Sequence, residues 1–209
     1  MATLGDLRQR VATEMDREDL NDELYDTLTL HISRAIEYYQ GEPFYFNYGS
    51  VTDTATSGNP EMSMPATMRV IDKITISAEV IEKRPLEDIL TATASSGTPE
   101  WYSEFGDGVY FYPTPSSALT VKFFGTKYIT PPSAESDSTV WTNAAYDLIN
   151  AHVQMTLYRD VFRDADGTTT ALAAVTDAKT RLDRETSRRN ATPLRPPAHF
   201  PMPGYSAYP

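Results

Sequence analysis

The sequence predicts an α+β protein, mainly α. The expected architecture is a helical bundle, with two helices near each end of the chain, an inserted small antiparallel β-sheet and an extended Pro-rich C-terminal tail. Three observations lead there. Apolar residues recur at helical spacing near both ends, the period falls to two in the middle, and six of the last seventeen residues are proline. The expected boundaries are helices over 3–18 and 22–40, a β-rich insertion over 44–130, helices over 142–164 and 168–189, and an arm over 190–209. Residues 1–189 form a single domain in this reading.

The first helix opens on Thr3 with Asp6 three residues later, a capping-box pattern in which each side chain satisfies a leftover backbone N–H. Leu4, Leu7, Val11 and Met15 make its apolar face. Asn21 caps a second helix, whose first turn holds Asp22 and Glu23 where the helix dipole favours acids. Its stripe is Leu24, Leu28, Ile32, Ala35, Ile36 and Tyr39, and Gly41 and Pro43 stop it.

Then the pattern changes. Phe44-Tyr45-Phe46-Asn47-Tyr48 is short and aromatic, which suits a strand. The polar stretch 52–59 reads as a loop that orders on assembly. Ile74, Ile76, Ala78 and Val80 alternate with Thr75, Ser77 and Glu79, the signature of one half-buried strand. Val109-Tyr110-Phe111-Tyr112 and the apolar-rich run from Leu119 to Phe124 flank Pro113-Thr114-Pro115-Ser116-Ser117. That layout predicts a hairpin with a proline turn.

After Pro131-Pro132, Thr142 caps a helix with apolar residues on two faces. One carries Ala145, Leu148, Ala151, Met155, Tyr158 and Phe162; the other carries Ile149, Val153, Leu157 and Val161. Such a helix packs between neighbours. Asp166-Gly167 breaks it, and Ala171, Leu172, Val175, Ala178 and Leu182 mark a last amphipathic helix. The tail cannot be helix or central strand, so it is extended or polyproline-like.

Composition narrows function. The 209 residues carry 29 acids against 18 Lys and Arg, a net charge of -11, which argues against a nucleic-acid or anionic-membrane binder. Cysteine is absent, so disulfides, thiolate catalysis and sulfur-ligated zinc are excluded. No signal peptide is visible and no run of about 18 apolar residues exists to span a membrane. His31, His152 and His199 show no metal-ligand spacing, and His152 reads as a hydrogen-bonded core histidine. Asp164-Ala165-Asp166-Gly167 places glycine fourth, where a calcium loop needs it sixth, so it reads as a helix–helix turn.

Glu100, Trp101, Tyr102, Glu104 and Asp107 form the one cluster that suggests glycoside hydrolysis, which pairs two carboxyls beside aromatic platforms. The favoured reading packs Trp101, Tyr102 and Phe105 and leaves the acids solvated. No catalytic, cofactor-binding or metal residue is assigned. The 13 tyrosines suit sheet packing and subunit contacts. In the tail, Phe200, Met202, Tyr205 and Tyr208 bury no core of their own, and Arg188, Arg189 and Arg195 make that end basic. The favoured expectation is that these residues dock on a partner surface, the alternative being a disordered end.

An ordered succession of motifs resembles the head-to-tail adaptor (connector) proteins of tailed bacteriophages. Gly97-Thr98-Pro99-Glu100-Trp101-Tyr102, then Gly108-Val109-Tyr110-Phe111-Tyr112-Pro113-Thr114-Pro115, is similar to that family's G-x-P-x-x-Y … l-x-l-x-P-x-P stretch. Ala35-Ile36 before Phe44-Tyr45-Phe46-Asn47, Met64-Pro65 before Arg69-Val70-Ile71-Asp72-Lys73-Ile74, and Asp147-Leu148-Ile149 in the helix opened by Trp141 fit the same layout over residues 1–189. The resemblance implies a structural virion protein with no enzyme activity and no cofactor. It would form a ring, usually of twelve copies, joining the portal protein to a tail nozzle or hub protein at the portal-tail junction, after synthesis in the host cytoplasm. DNA would pass through the ring only as cargo, and an acidic wall would not grip it. The other readings are a different head-completion or tail-terminator ring protein, or a small cell-wall glycan hydrolase using Glu100 with Glu104 or Asp107.

Overall fold

A computed structural model describes residues 1–17 and 25–190, and the expected Asn21 cap and the arm beyond Asn190 lie outside those residues. Helix α1 spans Leu4–Glu14. The Thr3 hydroxyl accepts the Asp6 N–H at 3.2 Å while the Asp6 carboxylate accepts the Thr3 N–H at 2.8 Å, which completes the capping box. The helix stops short of the expected residue 18, because Asp16 turns the chain into the left-handed region at φ 52°. Helix α2 spans Tyr25–Tyr39.

The middle departs most from expectation. It holds nine strands: β1 (Tyr48–Ala55), β2 (Glu61–Ser63), β3 (Met68–Ile76), β4 (Glu79–Lys83), β5 (Ser96–Gly97), β6 (Trp101–Phe105), β7 (Gly108–Tyr112), β8 (Thr114–Pro115) and β9 (Leu119–Lys127). A short helix, α3 (Leu86–Thr91), falls between β4 and β5. Seven strands form one curled mixed sheet in the order β1-β9-β3-β4-β6-β7-β2, with β4 and β6 parallel, and β5 pairs β8 in a separate parallel ribbon. The predicted helical bundle with a small antiparallel insertion is therefore wrong. The sheet is a major layer with its own core of Ile71, Ile74, Ile76, Tyr102, Val109, Phe111, Val121 and Phe123.

Four local corrections have physical causes. Phe44-Tyr45-Phe46-Asn47 is a turn, closed by the Tyr48 N–H on the Phe44 carbonyl at 3.0 Å. Its aromatics serve the helices: Phe44 and Phe46 lie edge-on to Trp141, with centroids at 6.1 and 5.0 Å. Half of the expected 52–59 loop is strand, because residues 52–55 pair with β9 and residues 56–59 turn. Stretch 74–80 is two strands. Ser77 and Ala78, both at positive φ, make a two-residue reversal that flips the side-chain parity. Ile81 is buried in consequence and Val80 is 64% exposed.

The proline segment is not a hairpin turn either. Strand β7 lies between β6 and β2, and β9 lies between β1 and β3. Pro115 lacks an N–H, so the ribbon uses its neighbours: Thr114 donates to the Ser95 carbonyl and Ser116 to the Gly97 carbonyl, each at 3.0 Å. Between β3 and β9, a Cβ on Gly125 would overlap the Val70 carbonyl, so these strands approach this closely only at glycine.

The C-terminal helices also start elsewhere than expected. Thr139, not Thr142, caps α4 (Val140–Ala144), and Thr142 is its reciprocal capping partner. After a break at Ala145 comes α5 (Tyr146–Leu157), followed by a π-helical turn over Tyr158–Phe162 that Arg163 ends at φ 54°. Asp166-Gly167 does not break a helix; it opens α6 (Ala165–Asn190), where the Asp164 carboxylate accepts both of their N–H groups at 3.1 Å. Helix α5 packs against α1, α2 and α6, which accounts for its two apolar faces. Leu4, Leu7, Ile32, Ile36, Trp141, Ile149, Val153 and Leu157 form the helical core. No helix among the described residues is long and apolar enough to cross a membrane.

Two buried residues join the layers. Gln40 accepts the Ile129 N–H at 3.1 Å and donates to the Ile129 carbonyl. The Asn47 side chain donates to the Glu42 carbonyl at 2.9 Å, and its backbone carbonyl accepts the Lys127 N–H at 2.7 Å. The strands entering and leaving the sheet are thus tied to the same end of α2.

Candidate interface surfaces

Of the predicted interface residues, Arg188 and Arg189 lie in the last turn of α6, whereas Arg195, Phe200, Met202, Tyr205 and Tyr208 lie outside the described residues. Both arginines reach back to Glu185, at 2.8 and 2.6 Å, and their hydrogen bonds hold its carboxyl down at about 2. The Arg189 guanidinium also lies 3.8 Å from the Tyr45 ring centroid. The base of the arm is therefore ion-paired within its own helix and anchored to the segment leading into β1.

The two described histidines share a cleft of about 240 Å³ between α2 and α5, with Arg34, Tyr38, Arg159 and Asp160 around them. His152 Nδ1 is 3.0 Å from the Tyr39 hydroxyl, and His31 Nδ1 is 3.1 Å from the Thr156 hydroxyl. Burial pushes both histidines below their ordinary value, helped by Arg159 at His152 and Arg34 at His31. Burial likewise pushes the Tyr39 hydroxyl up to about 12. His152 is thus hydrogen-bonded and half-buried. Among the described residues no group of histidine and carboxylate side chains could hold a metal ion.

The cluster around Glu100 is spread over β6 and its flanks. Glu104 is in an ion pair with Lys83 at 2.7 Å, and Glu100 is exposed. Trp101 stacks on Tyr112 with centroids 5.0 Å apart, and the Arg84 guanidinium sits 3.9 Å from its ring. The aromatic surface a sugar would use is engaged by protein. Tyr102 is buried as expected, but Phe105, expected to pack, is 64% exposed at the β6–β7 turn.

Sequence reasoning missed the outer face of the sheet. Lys73 pairs across β3–β9 with Phe124, which pairs with Ser50; Thr75 pairs with Lys122, which pairs with Thr52. Residues directly opposite share a face, so these six side chains lie opposite the buried Ile74, Val121 and Phe123. The Lys73 and Lys122 amines lie 4.8 and 5.0 Å from the Phe124 ring centroid. None of these six side chains is acidic; Glu82 of the neighbouring β4, two residues beyond the Val80 that pairs with Thr75, is held by Arg84 at 2.8 Å. The run Lys122-Phe123-Phe124 held the signal, but only the register of β3 shows which phenylalanine points outward.

The family model described as SU10 adaptor protein matches residues 2–197 of the chain. No curated protein matches it.

Proposed function

The chain belongs to the SU10 adaptor protein family and is a bacteriophage structural adaptor, and on that premise we propose that it forms a ring joining the capsid portal to the tail. The ring has about twelve copies in this reading, completes the DNA-exit channel and sits at the portal-tail junction, between the portal protein and a tail nozzle or hub protein. The family match over residues 2–197 carries the proposal. The net charge of -11 supports it, because a conduit wall that repels phosphate avoids the counterion-release binding that would hold DNA in place.

The predicted contact residues keep their role in this reading. Arg188 and Arg189 fix where the arm leaves α6, and Arg195, Phe200, Met202, Tyr205 and Tyr208 contact the portal or an adjacent subunit. A head-to-tail ring needs interfaces that differ on the two sides of each copy, and an extended arm lengthens such an interface.

Electron microscopy of the purified protein mixed with portal tests the reading. The expected result is a ring stacked on one end of the portal; portal particles left bare at saturating protein would overturn it. The same mixture with a chain ending at Arg189 tests the arm, for which the expected result is weakened stacking and the contrary one is unchanged assembly.

A further inference from the structure

Charge is divided unevenly over the curled sheet. Strands β1, β3 and β9 carry four cations, Arg69, Lys73, Lys122 and Lys127, against the two acids Asp53 and Asp72. Residues 79–107, which include β4, α3 and β6, carry seven acids against the two cations Lys83 and Arg84. Those two are already engaged, Lys83 by Glu104 and Arg84 by Glu82. Among the described residues no ion pair holds Lys73, Lys122, Glu87 or Asp88. The β1–β9–β3 side of the sheet is thus cationic, and the adjoining β4–β6 stretch with α3 is anionic.

Apolar groups are placed to match. On the cationic face Phe124 lies between Lys73 and Lys122. On α3, Ile89 points into the protein, and Leu90 stands 68% exposed next to the exposed Glu87 and Asp88. Glu87 and Leu90, three residues apart on a helix, are surface neighbours. The β3–β9 face offers a ring flanked by two amines, and α3 offers an isobutyl group beside the Glu87 carboxylate, with Asp88 on the far side of Glu87.

We propose that the Lys73–Phe124–Lys122 face of one copy receives the Glu87–Asp88–Leu90 face of α3 from a second copy. The assignment rests on the ring reading above and specifies its subunit contact. Surface and partner are different parts of the same chain, so the contact is heterologous and propagates head to tail until it closes. A second copy fits better than DNA: a phosphate backbone would match the lysines but leave Leu90 of α3 without a counterpart, whereas the pairing uses both apolar groups and sets carboxylates of α3 against the lysines.

Charge reversal tests it on the full chain. Lys73→Glu with Lys122→Glu, and separately Glu87→Lys with Asp88→Lys, should each weaken ring formation by about tenfold or more, because like charges then meet across the contact. All four changes in one chain should restore assembly. Melting curves verify that each variant is folded, and raised salt should weaken wild-type association in parallel. Double variants that assemble like wild type while wild type rings portal would overturn this contact alone. So would a four-fold variant that folds but stays monomeric, or a lysine variant that rings normally yet loses binding to duplex DNA. Wild type that forms no ring with or without portal would remove the ring reading itself and this contact with it.

Discussion

The helices draw their core from both ends of the chain, joining Leu4 and Leu7 to Trp141, Leu148 and Leu182, whereas the sheet draws its core from one continuous stretch, residues 55–123. The helical core also incorporates polar groups with dedicated partners. Asn150 donates to Glu14 at 2.7 Å, and Tyr39 meets His152. The sheet core is almost wholly apolar on one face, and its other face is left to solvent or a partner. The difference teaches how labour is divided here. The helices need both ends of the chain in place before they close, while the sheet closes within the middle of the chain, by pairings such as Tyr48 with Thr126, and presents surface.

The largest expected effects come from truncating each core in turn. Trp141→Ala removes a buried indole from the helices and Phe123→Ala a buried ring from the sheet, each at a cost of about 3–5 kcal/mol. Denaturation of the Phe123→Ala chain, followed both by helical circular dichroism and by fluorescence, should show separate midpoints. Coincident transitions would mean that the two cores melt as one cooperative unit and that the contrast ends at architecture.

Gln40→Ala acts on the junction and should cost less, about 1–3 kcal/mol, by leaving the Ile129 N–H and carbonyl without their partner. Amide hydrogen exchange should show faster exchange at Ile129 than at Phe123. Equal protection of the Ile129 amide in the variant and the wild type would show that the tie between layers does not depend on this side chain.

Acidification gives the smallest and most selective effect. His31 and His152 both belong to the helical layer, and no histidine lies in the sheet. Their folded values lie below the ordinary 6.5, so the unfolded chain takes up protons first as pH falls. The stability they contribute is complete above about pH 6.5 and declines below it. Thermal midpoints at about pH 7.5 and about pH 5.5 should therefore fall for wild type and fall less for His152→Gln. An unchanged pH slope in that variant would show that His152 does not sense the burial its position implies.

Much of the helical layer was legible in sequence because a helix writes its burial locally. The spacing of Leu4, Leu7 and Val11, and the two faces of α5, need no knowledge of distant residues. The sheet was not legible in the same way. Ile74, Ile76, Ala78 and Val80 look like one alternating strand until Ser77 and Ala78 reverse the chain, and nothing near Leu119 says that β9 pairs with β1 and β3. The aromatic run at 44–48 was misread because strand propensity measures fit to a half-buried surface, and here the helices supply that surface. Of the candidate contacts, Arg188 and Arg189 stand out in the sequence by charge, but their pairing with Glu185 and the position of Arg189 over Tyr45 follow only from the fold.

By itself the sequence determined the acidity, the absence of thiol chemistry, the apolar stripes of the helices and the ordered motifs that resemble an adaptor. Only the tertiary structure decided strand order, the ties at Gln40 and Asn47, and the oppositely charged parts of the sheet. The reason is physical. Helical hydrogen bonds close within four residues and leave their periodicity in the chain, while sheet pairing joins residues tens of positions apart and is settled by global packing.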